Sequence, residues 1–514
     1  MRGESLRRGA VLSCFVLALA VSPAQAAEVG EISAQELSQL EKYLTEVLTD
    51  EGRPGLSAAV VSGEEISTIT LGEESDGQPV TADTVFQTAS ISKSMTALAI
   101  AILHESGDID LSQPVSTYLP ELSPGADAVT LADVMHQFSG LSQYVGNQPW
   151  VGRLGESLEV NVTRLESEFS AGAFWEYSNA NYDTLALVVE RVSGMPFPDF
   201  MAEHVFAPLD MTFTQIGPTG AETLAEGYYN RLVLGYAPVG IDDRPGMAGS
   251  AGIFSTPTDI AHFMSAQLNA GVFRGEQVFP AAAIETVQTP RPYGLEYDEP
   301  LPVEPGYAGG FFVGPSFGPE VSAELAGLTT LWHQGDGLLG FQGVMWMVPE
   351  AGAGFVVLTN GNDYADSDWI AQVAQGAKHI LFGLEPNEPI PRQDPLVRWG
   401  KQLLAAVVVA QAALAFAVSP GIRRRRAGVE LGTSDRVWIS LATIVDLVAV
   451  AALVWIIPDT SASPLLVVME APDYRVIVLL MAFGILWGIV RTFVLVLRAR
   501  GKSSGPASVP VTTP

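Results

Sequence analysis

Ser90 and Lys93 stand three residues apart, and of the chain's five lysines only Lys93 has a serine at that distance before it. A hydroxyl attacks a carbonyl when a base beside it can take its proton, and a covalent acyl intermediate then divides one hard cleavage into two easier steps. On a helix, positions i and i+3 share a face with Cβ atoms about 5–6 Å apart, so the Lys93 amine can reach the Ser90 hydroxyl. The element that must provide this placement is a helix from Ser90 to about Glu105, apolar at Met95, Leu98, Ala99, Ile102 and Leu103 and stopped by Gly107. Ser90 in its first turn would lie beside free backbone N–H groups and the positive end of the helix dipole.

The surrounding sequence supplies a frame. Ser33 and Glu36 form a capping box ahead of Leu37, Leu40, Leu44, Val47 and Leu48, which recur at helical spacing. Gly55 to Val61 and Ile66 to Leu71 read as strands around a Gly63-Glu64 turn, and Gly340 to Met347 and Gly354 to Leu358 as a hairpin around Pro349 to Gly352. Ser367 to Leu381 reads as a closing helix. Strands at both ends with helices between them predict an α/β (α+β) class: one sheet built from distant segments, with a helical insertion.

Tyr177-Ser178-Asn179 and His333-Gln334-Gly335 complete a pattern with Ser90-Ile91-Ser92-Lys93. Together they resemble the three active-site elements of the serine β-lactamase and penicillin-binding-protein superfamily, in its class C-like branch of DD-peptidases and esterases. Phe86 to Lys93, Leu111 to Val115, Tyr118-Leu119-Pro120, Phe138 to Leu141, Phe174 to Tyr182, Ala251 to Thr256 and Gly340-Phe341 follow that family's order. The resemblance covers about Ser33 to Gly383. It implies an antiparallel sheet flanked by helices plus a helical subdomain, and a Ser90 acyl-enzyme. Lys93 and Tyr177 would share the proton traffic, with either as the base. Asn179 would orient Lys93 and bind the substrate amide, and His333 and Gly335 would lie on the sheet edge facing Ser90. The backbone N–H groups of Ser90 and Asp336 would form an oxyanion hole. No metal or organic cofactor is implied. Three positions depart from the pattern: His333 replaces a lysine that meets the substrate carboxylate in β-lactamases of this branch, Gln137 stands where many relatives have histidine, and Asp336 puts an acid beside the oxyanion site.

The net charge of −30 is concentrated in the middle of the chain, where residues 27–400 carry about −37. Such a surface repels phosphate backbones and excludes nucleic acid as a partner. Arg2, Arg7 and Arg8, an apolar Ala10 to Val21 and the small-residue site Ala24-Gln25-Ala26 read as a secretory signal over 1–26. The single cysteine, Cys14, lies inside it, so the mature product would have no disulfide. Three apolar segments follow the acidic region: Leu403 to Val418, Val437 to Ile457 and Val476 to Leu497. Each is long enough, or nearly so, to cross a hydrocarbon core of about 30 Å. Arg423 to Arg426 and the Arg498, Arg500, Lys502 group place both basic flanks in the cytoplasm by the positive-inside rule, and hence the acidic domain outside. Asp446 and Arg491 fall within the second and third segments and are spaced to pair.

The chain therefore divides into a signal (1–26), a hydrolase domain (27–383), a linker (384–402), a three-helix transmembrane region (403–497) and a cytoplasmic tail (498–514). Its expected partners are a small-molecule or peptide substrate and the lipid bilayer. The expected activity is cleavage of an ester or amide, D-amino-acid peptides and β-lactams among them. The alternative is a penicillin- or muropeptide-binding receptor with slow or no turnover.

Overall fold

The computed structural model describes residues 32–500 apart from short internal segments, the longest being 295–302, 315–324, 386–394 and 457–471. The expected signal lies outside the described residues. Helix α1 (Ala34–Glu51) begins at the Ser33/Glu36 capping box, with both reciprocal bonds formed. Strands β1 (Gly55–Ser62) and β2 (Glu65–Ser75) follow as a hairpin, and β3 (Gln78–Pro79) joins their edge. The segment after Gln87 enters a single 3₁₀ turn at Ala89–Ile91 and continues as α2 (Ser92–Glu105). The predicted helix is thus present, with Ser90 in a tighter entry turn than an α-helix would give.

Two more helices matter for the frame, α3 (Asn179–Ser193) and α4 (Pro257–Leu268). The remaining strands of the sheet then arrive together: β4 (Arg291–Pro292), β5 (Gly306–Tyr307), β6 (Phe312–Gly314), β7 (Thr330–Gly337), β8 (Phe341–Val348) and β9 (Ala353–Thr359). The order across the nine-stranded sheet is β4-β5-β6-β7-β8-β9-β1-β2-β3, antiparallel throughout. Helix α5 (Trp369–Leu381) closes this region.

Strand alternation splits the core in two. Leu56, Ala58, Val60, Trp346 and Phe355 face α1 and α5, whereas Ala59, Val61, Met345, Met347 and Val356 face the helices on the other side. Helix α2 runs through that second core with Met95, Ala97, Leu98, Ala99 and Ile100 fully buried. A helix apolar around most of its circumference belongs inside, and this one carries Lys93 inside with it.

Helices α6 (Pro395–Arg426), α7 (Thr433–Ile456) and α8 (Pro472–Arg500) form the C-terminal region. Helix α6 starts inside the expected linker. Among the described residues two helices, over Gln402–Arg426 and Val476–Phe493, are long and apolar enough to cross a membrane, one fewer than the three spans expected. Helix α7 carries Asp435 and Arg436 in its first turn, ahead of the expected second span, and Asp446 within it. Arg491 Nη2 donates to Asp446 Oδ2 at 2.8 Å and to Thr443 Oγ1 at 3.1 Å, while Gln411 Nε2 reaches Asp446 Oδ1 at 3.2 Å. The pair expected across neighbouring helices is present, with all three helices contributing.

Strand β6 pairs only with Thr330–Trp332 of β7, so from His333 onward β7 presents an edge to the Ser90 turn. A Cβ on Gly335 would lie 2.1 Å from the Thr88 carbonyl oxygen and 3.3 Å from Ala89 Cβ, so only glycine allows this approach. Gly335→Ala is expected to destabilise the fold by about 1–3 kcal/mol through overpacking. Gly240→Ala, with nothing within 4 Å of the new Cβ, should change it by less than about 0.5 kcal/mol. Urea unfolding of the two variants checks this, and equal costs would contradict the close approach.

Candidate active site

The Ser90 turn is held from below. Thr88 Oγ1 donates to the Ile253 carbonyl at 2.9 Å, the Thr88 and Ser92 hydroxyls meet at 3.2 Å, and the Ile253 N–H donates to Ser92 Oγ at 3.1 Å. Ala89 takes a left-handed φ of 46°. For a residue with a Cβ this conformation costs about 1 kcal/mol or more and persists only where the surroundings impose it. Its effect is to turn the half-buried Ser90 hydroxyl out of the helix start, toward Lys93.

Lys93, fully buried, has three partners: Nζ lies 3.0 Å from Ser90 Oγ, 2.7 Å from Asn179 Oδ1 and 2.9 Å from the Ser250 carbonyl oxygen. The Asn179 amide donates from Nδ2 to Asn147 Oδ1 at 2.9 Å, which turns its oxygen toward Lys93. Burial pushes the Lys93 amine down to about 7, against the upward pull of the Asp183 carboxylate. A neutral amine has two N–H donors and one lone pair. Asn179 Oδ1 and the Ser250 carbonyl can only accept, so they take the two donors, and the lone pair is left for the one neighbour with a proton to give, the Ser90 hydroxyl.

Tyr177 closes over this pair. Its ring centroid is 4.9 Å from Lys93 Nζ and 5.9 Å from the His333 ring, and it stacks on Phe312 at 6.0 Å and 12°. Burial raises the Tyr177 phenol well above the usual range, and its contact with the Ser90 hydroxyl offsets only part of that. The phenol is therefore protonated at neutral pH. The loop carrying it is pinned by Gln137, whose Oε1 accepts from the Ser178 N–H at 2.9 Å and from Asn181 Nδ2. Gln137 itself sits at a left-handed φ of 69°. The departure from histidine at this position thus places a two-way acceptor behind the Tyr177 loop.

His333 is buried on β7. Its Nδ1 lies 2.7 Å from the Gln334 carbonyl, which can only accept, so Nδ1 carries the proton and Nε2 accepts from the Tyr307 hydroxyl at 3.3 Å. Burial, with the Lys93 charge nearby, pushes the ring down to about 3. The ring is therefore uncharged across the neutral range. Asp336 alternates with Gly335 and Gly337 along β7 and so faces the other side of the sheet, where its Oδ1 accepts from Asn362 Nδ2 at 2.7 Å. The acid beside the expected oxyanion position is thereby turned away from it.

The structure brings Ser90, Lys93, Tyr177, Asn179, His333 and Gly335 together and turns only the Asp336 side chain aside. Sequence reasoning missed Asp183, Ser250 and Tyr307. Asp183 left a signal: it stands four residues after Asn179, on the same face of α3, as an acid among buried residues. Ser250 left none, because it contributes a main-chain carbonyl. Among the described residues no three His, Asp or Glu side chains gather as metal ligands do. A cleft of about 340 Å³ beyond the Ser250–Gly252 segment, with Glu190, Asp242, Asp243 and Arg244 in its wall, does not include Ser90, Lys93 or Tyr177.

Penicillin-binding protein 4* of Bacillus subtilis is 30% identical over 171 residues, 30% of this chain and 37% of that protein. Esterase EstB of Burkholderia gladioli is 34% identical over 160 residues, 27% of this chain and 41% of that one. The chain spans about three fifths or less of the length of the first curated relatives it matches. An octameric penicillin-binding protein homologue from Pyrococcus abyssi shares the fold, with a TM-score of 0.58 at 22% identity over 72% of this chain and 81% of that one. The Beta-lactamase family model matches residues 40–377, nearly all of the region that holds the sheet, the Ser90 turn and the Tyr177 loop, and the chain belongs to that family.

Proposed function

We propose that the chain is a serine hydrolase that cleaves an ester or amide through an acyl-enzyme on Ser90. The observation that carries this is the hydrogen-bond set of Lys93, whose lone pair has one proton-bearing neighbour, Ser90. In the first step Ser90 Oγ bonds to the substrate carbonyl carbon as its proton passes to Lys93 Nζ. The tetrahedral oxyanion is held by the Ser90 and Asp336 backbone N–H groups. Collapse breaks the bond to the leaving group, which takes a proton relayed from Lys93 through the protonated Tyr177. Water then attacks the acyl carbon by the reverse relay, releasing the acid and restoring the Ser90 hydroxyl.

The relatives' names span a penicillin-binding protein and an esterase, so the reaction class is supported more broadly than any one substrate. The neutral His333, where a lysine would meet a substrate carboxylate, favours esters and amides that bring no carboxylate to that position over β-lactams. The C-terminal helices act as a membrane tether. Helix α7 crosses with α6 and α8, since Arg491 compensates the charge of Asp446, and the Arg423–Arg426 cluster stays in the cytoplasm with the catalytic domain outside.

Fluorophosphonate labelling of the full chain is expected to be lost in Ser90→Ala and slowed by about 10²–10⁴-fold in Lys93→Ala. Equal labelling of wild type and Ser90→Ala would overturn the assignment. A stable adduct with a fluorescent ester or penicillin, without release, would replace the enzyme by a receptor. Because only the neutral amine accepts the proton, kcat/KM on a p-nitrophenyl ester should fall as pH drops through about 7. A flat profile down to pH 5 would exclude Lys93 as the base.

A further inference from the structure

We propose that Asp183 is a positioning residue for this reaction, holding the counter-charge for the Lys93 ammonium that forms when Ser90 gives up its proton. The inference rests on the reading of Lys93 as proton acceptor. Asp183 lies one helical turn beyond Asn179 on α3, and its carboxylate is buried. Its Oδ1 accepts from the Ser250 N–H at 3.0 Å, and the carbonyl of the same Ser250 accepts from Lys93 Nζ at 2.9 Å. One residue therefore holds the acid and the amine in fixed relation. No contact with substrate is required of Asp183, since its action passes through Lys93.

The carboxylate also faces a cavity of about 210 Å³ whose lining includes Asn161, Arg164, Glu168, Tyr144 and Gln148 but neither Ser90 nor Tyr177. Asp183 Oδ2 and both amide atoms of the buried Asn161 make no hydrogen bond of good geometry within the protein, although the Ser250 hydroxyl and the Gly249 N–H lie beside the Asp183 carboxylate. Buried polar atoms without partners cost free energy unless water reaches them, and a cavity of this size has room for several waters. Tyr144, at its wall, is 56% exposed. Asp183 thus has a hydrated face apart from the Ser90 side, through which its proton equilibrates with solvent while an acyl group fills the front of the site.

Around the Ser90 site, charge changes near neutrality belong to this pair. The titratable groups packed around it are Tyr177, Tyr182, Tyr307 and His333, where burial keeps the three phenols protonated and the imidazole neutral, and Arg164 and Glu168 on the wall of the cavity. Burial moves Asp183 up and Lys93 down, and each opposes the other's shift. Removing the Asp183 charge removes the pull that keeps Lys93 protonated to higher pH.

Asp183→Asn keeps the acceptor for the Ser250 N–H and deletes the charge. In the full chain it is expected to move the acid limb of kcat/KM by at least about half a pH unit to lower pH. It should also lower the plateau about tenfold, because the ammonium formed on acylation then has no counter-charge. A profile that superimposes on wild type, or one scaled down with its limb unmoved, overturns the proposal and leaves Asp183 a packing residue. Asn161→Leu, which dries the cavity and leaves Asp183 in place, should move the limb in the same direction by a smaller amount. It decides the matter if Asp183→Asn does not fold. Loss of the hydrolase reading itself would show separately, as wild type that neither labels nor turns over.

Discussion

A lysine side chain with no solvent exposure, bonded to one hydroxyl and two oxygens that can only accept, is the constraint on which the site depends. Burial of an ammonium is expensive, and proteins answer by pairing it or letting it lose its proton. Here both answers are in partial force: three acceptors and a nearby carboxylate favour the charged form, and the apolar core of α2 favours the neutral one. The balance near neutrality is what makes the amine able to take a proton and give it back. A fully exposed lysine would be charged, and one without acceptors would be misplaced.

Four separated pieces of chain must meet for this to hold. The entry turn of α2 brings Ser90 and Lys93, the start of α3 brings Asn179 and Asp183, residues 248–251 bring the Ser250 carbonyl, and β7 brings His333 and Gly335. The sheet provides the rigid wall. Its other face, packed by α1 and α5, has no part in the chemistry but fixes where β7 runs. The strain at Ala89 and Gln137 sits on either side of the reactive groups, at the Ser90 turn and behind the Tyr177 loop, and the surrounding hydrogen bonds impose it.

Much of this was legible in the sequence wherever a local signal exists. Ser33 with Glu36 marked the first helix, the Gly63 and Pro349 turns marked two hairpins, and Ser90 with Lys93 marked a helical face, because each depends on residues within a few positions. Tyr177 and His333 were readable only through the family's motif order, since no local rule connects a phenol to a lysine 84 positions away. Asp183 and Ser250 were missed because their roles exist only in three dimensions. The charge of His333 and the direction of Asp336 depend on burial and strand alternation, which a tripeptide does not report. In the tail the Asp446–Arg491 pair was predicted from helical rise, and among the described residues two helices rather than three are long and apolar enough to span.

The most direct test of the account is the proton affinity of Lys93, read by NMR of the full chain carrying ¹³Cε-lysine. Five lysines give few resonances, and a Lys378→Arg chain separates the other buried one. The Lys93 signal is expected to titrate near 7. A Lys93 signal titrating near 10, as an exposed lysine does, would contradict it, because an amine charged at neutral pH cannot take the Ser90 proton.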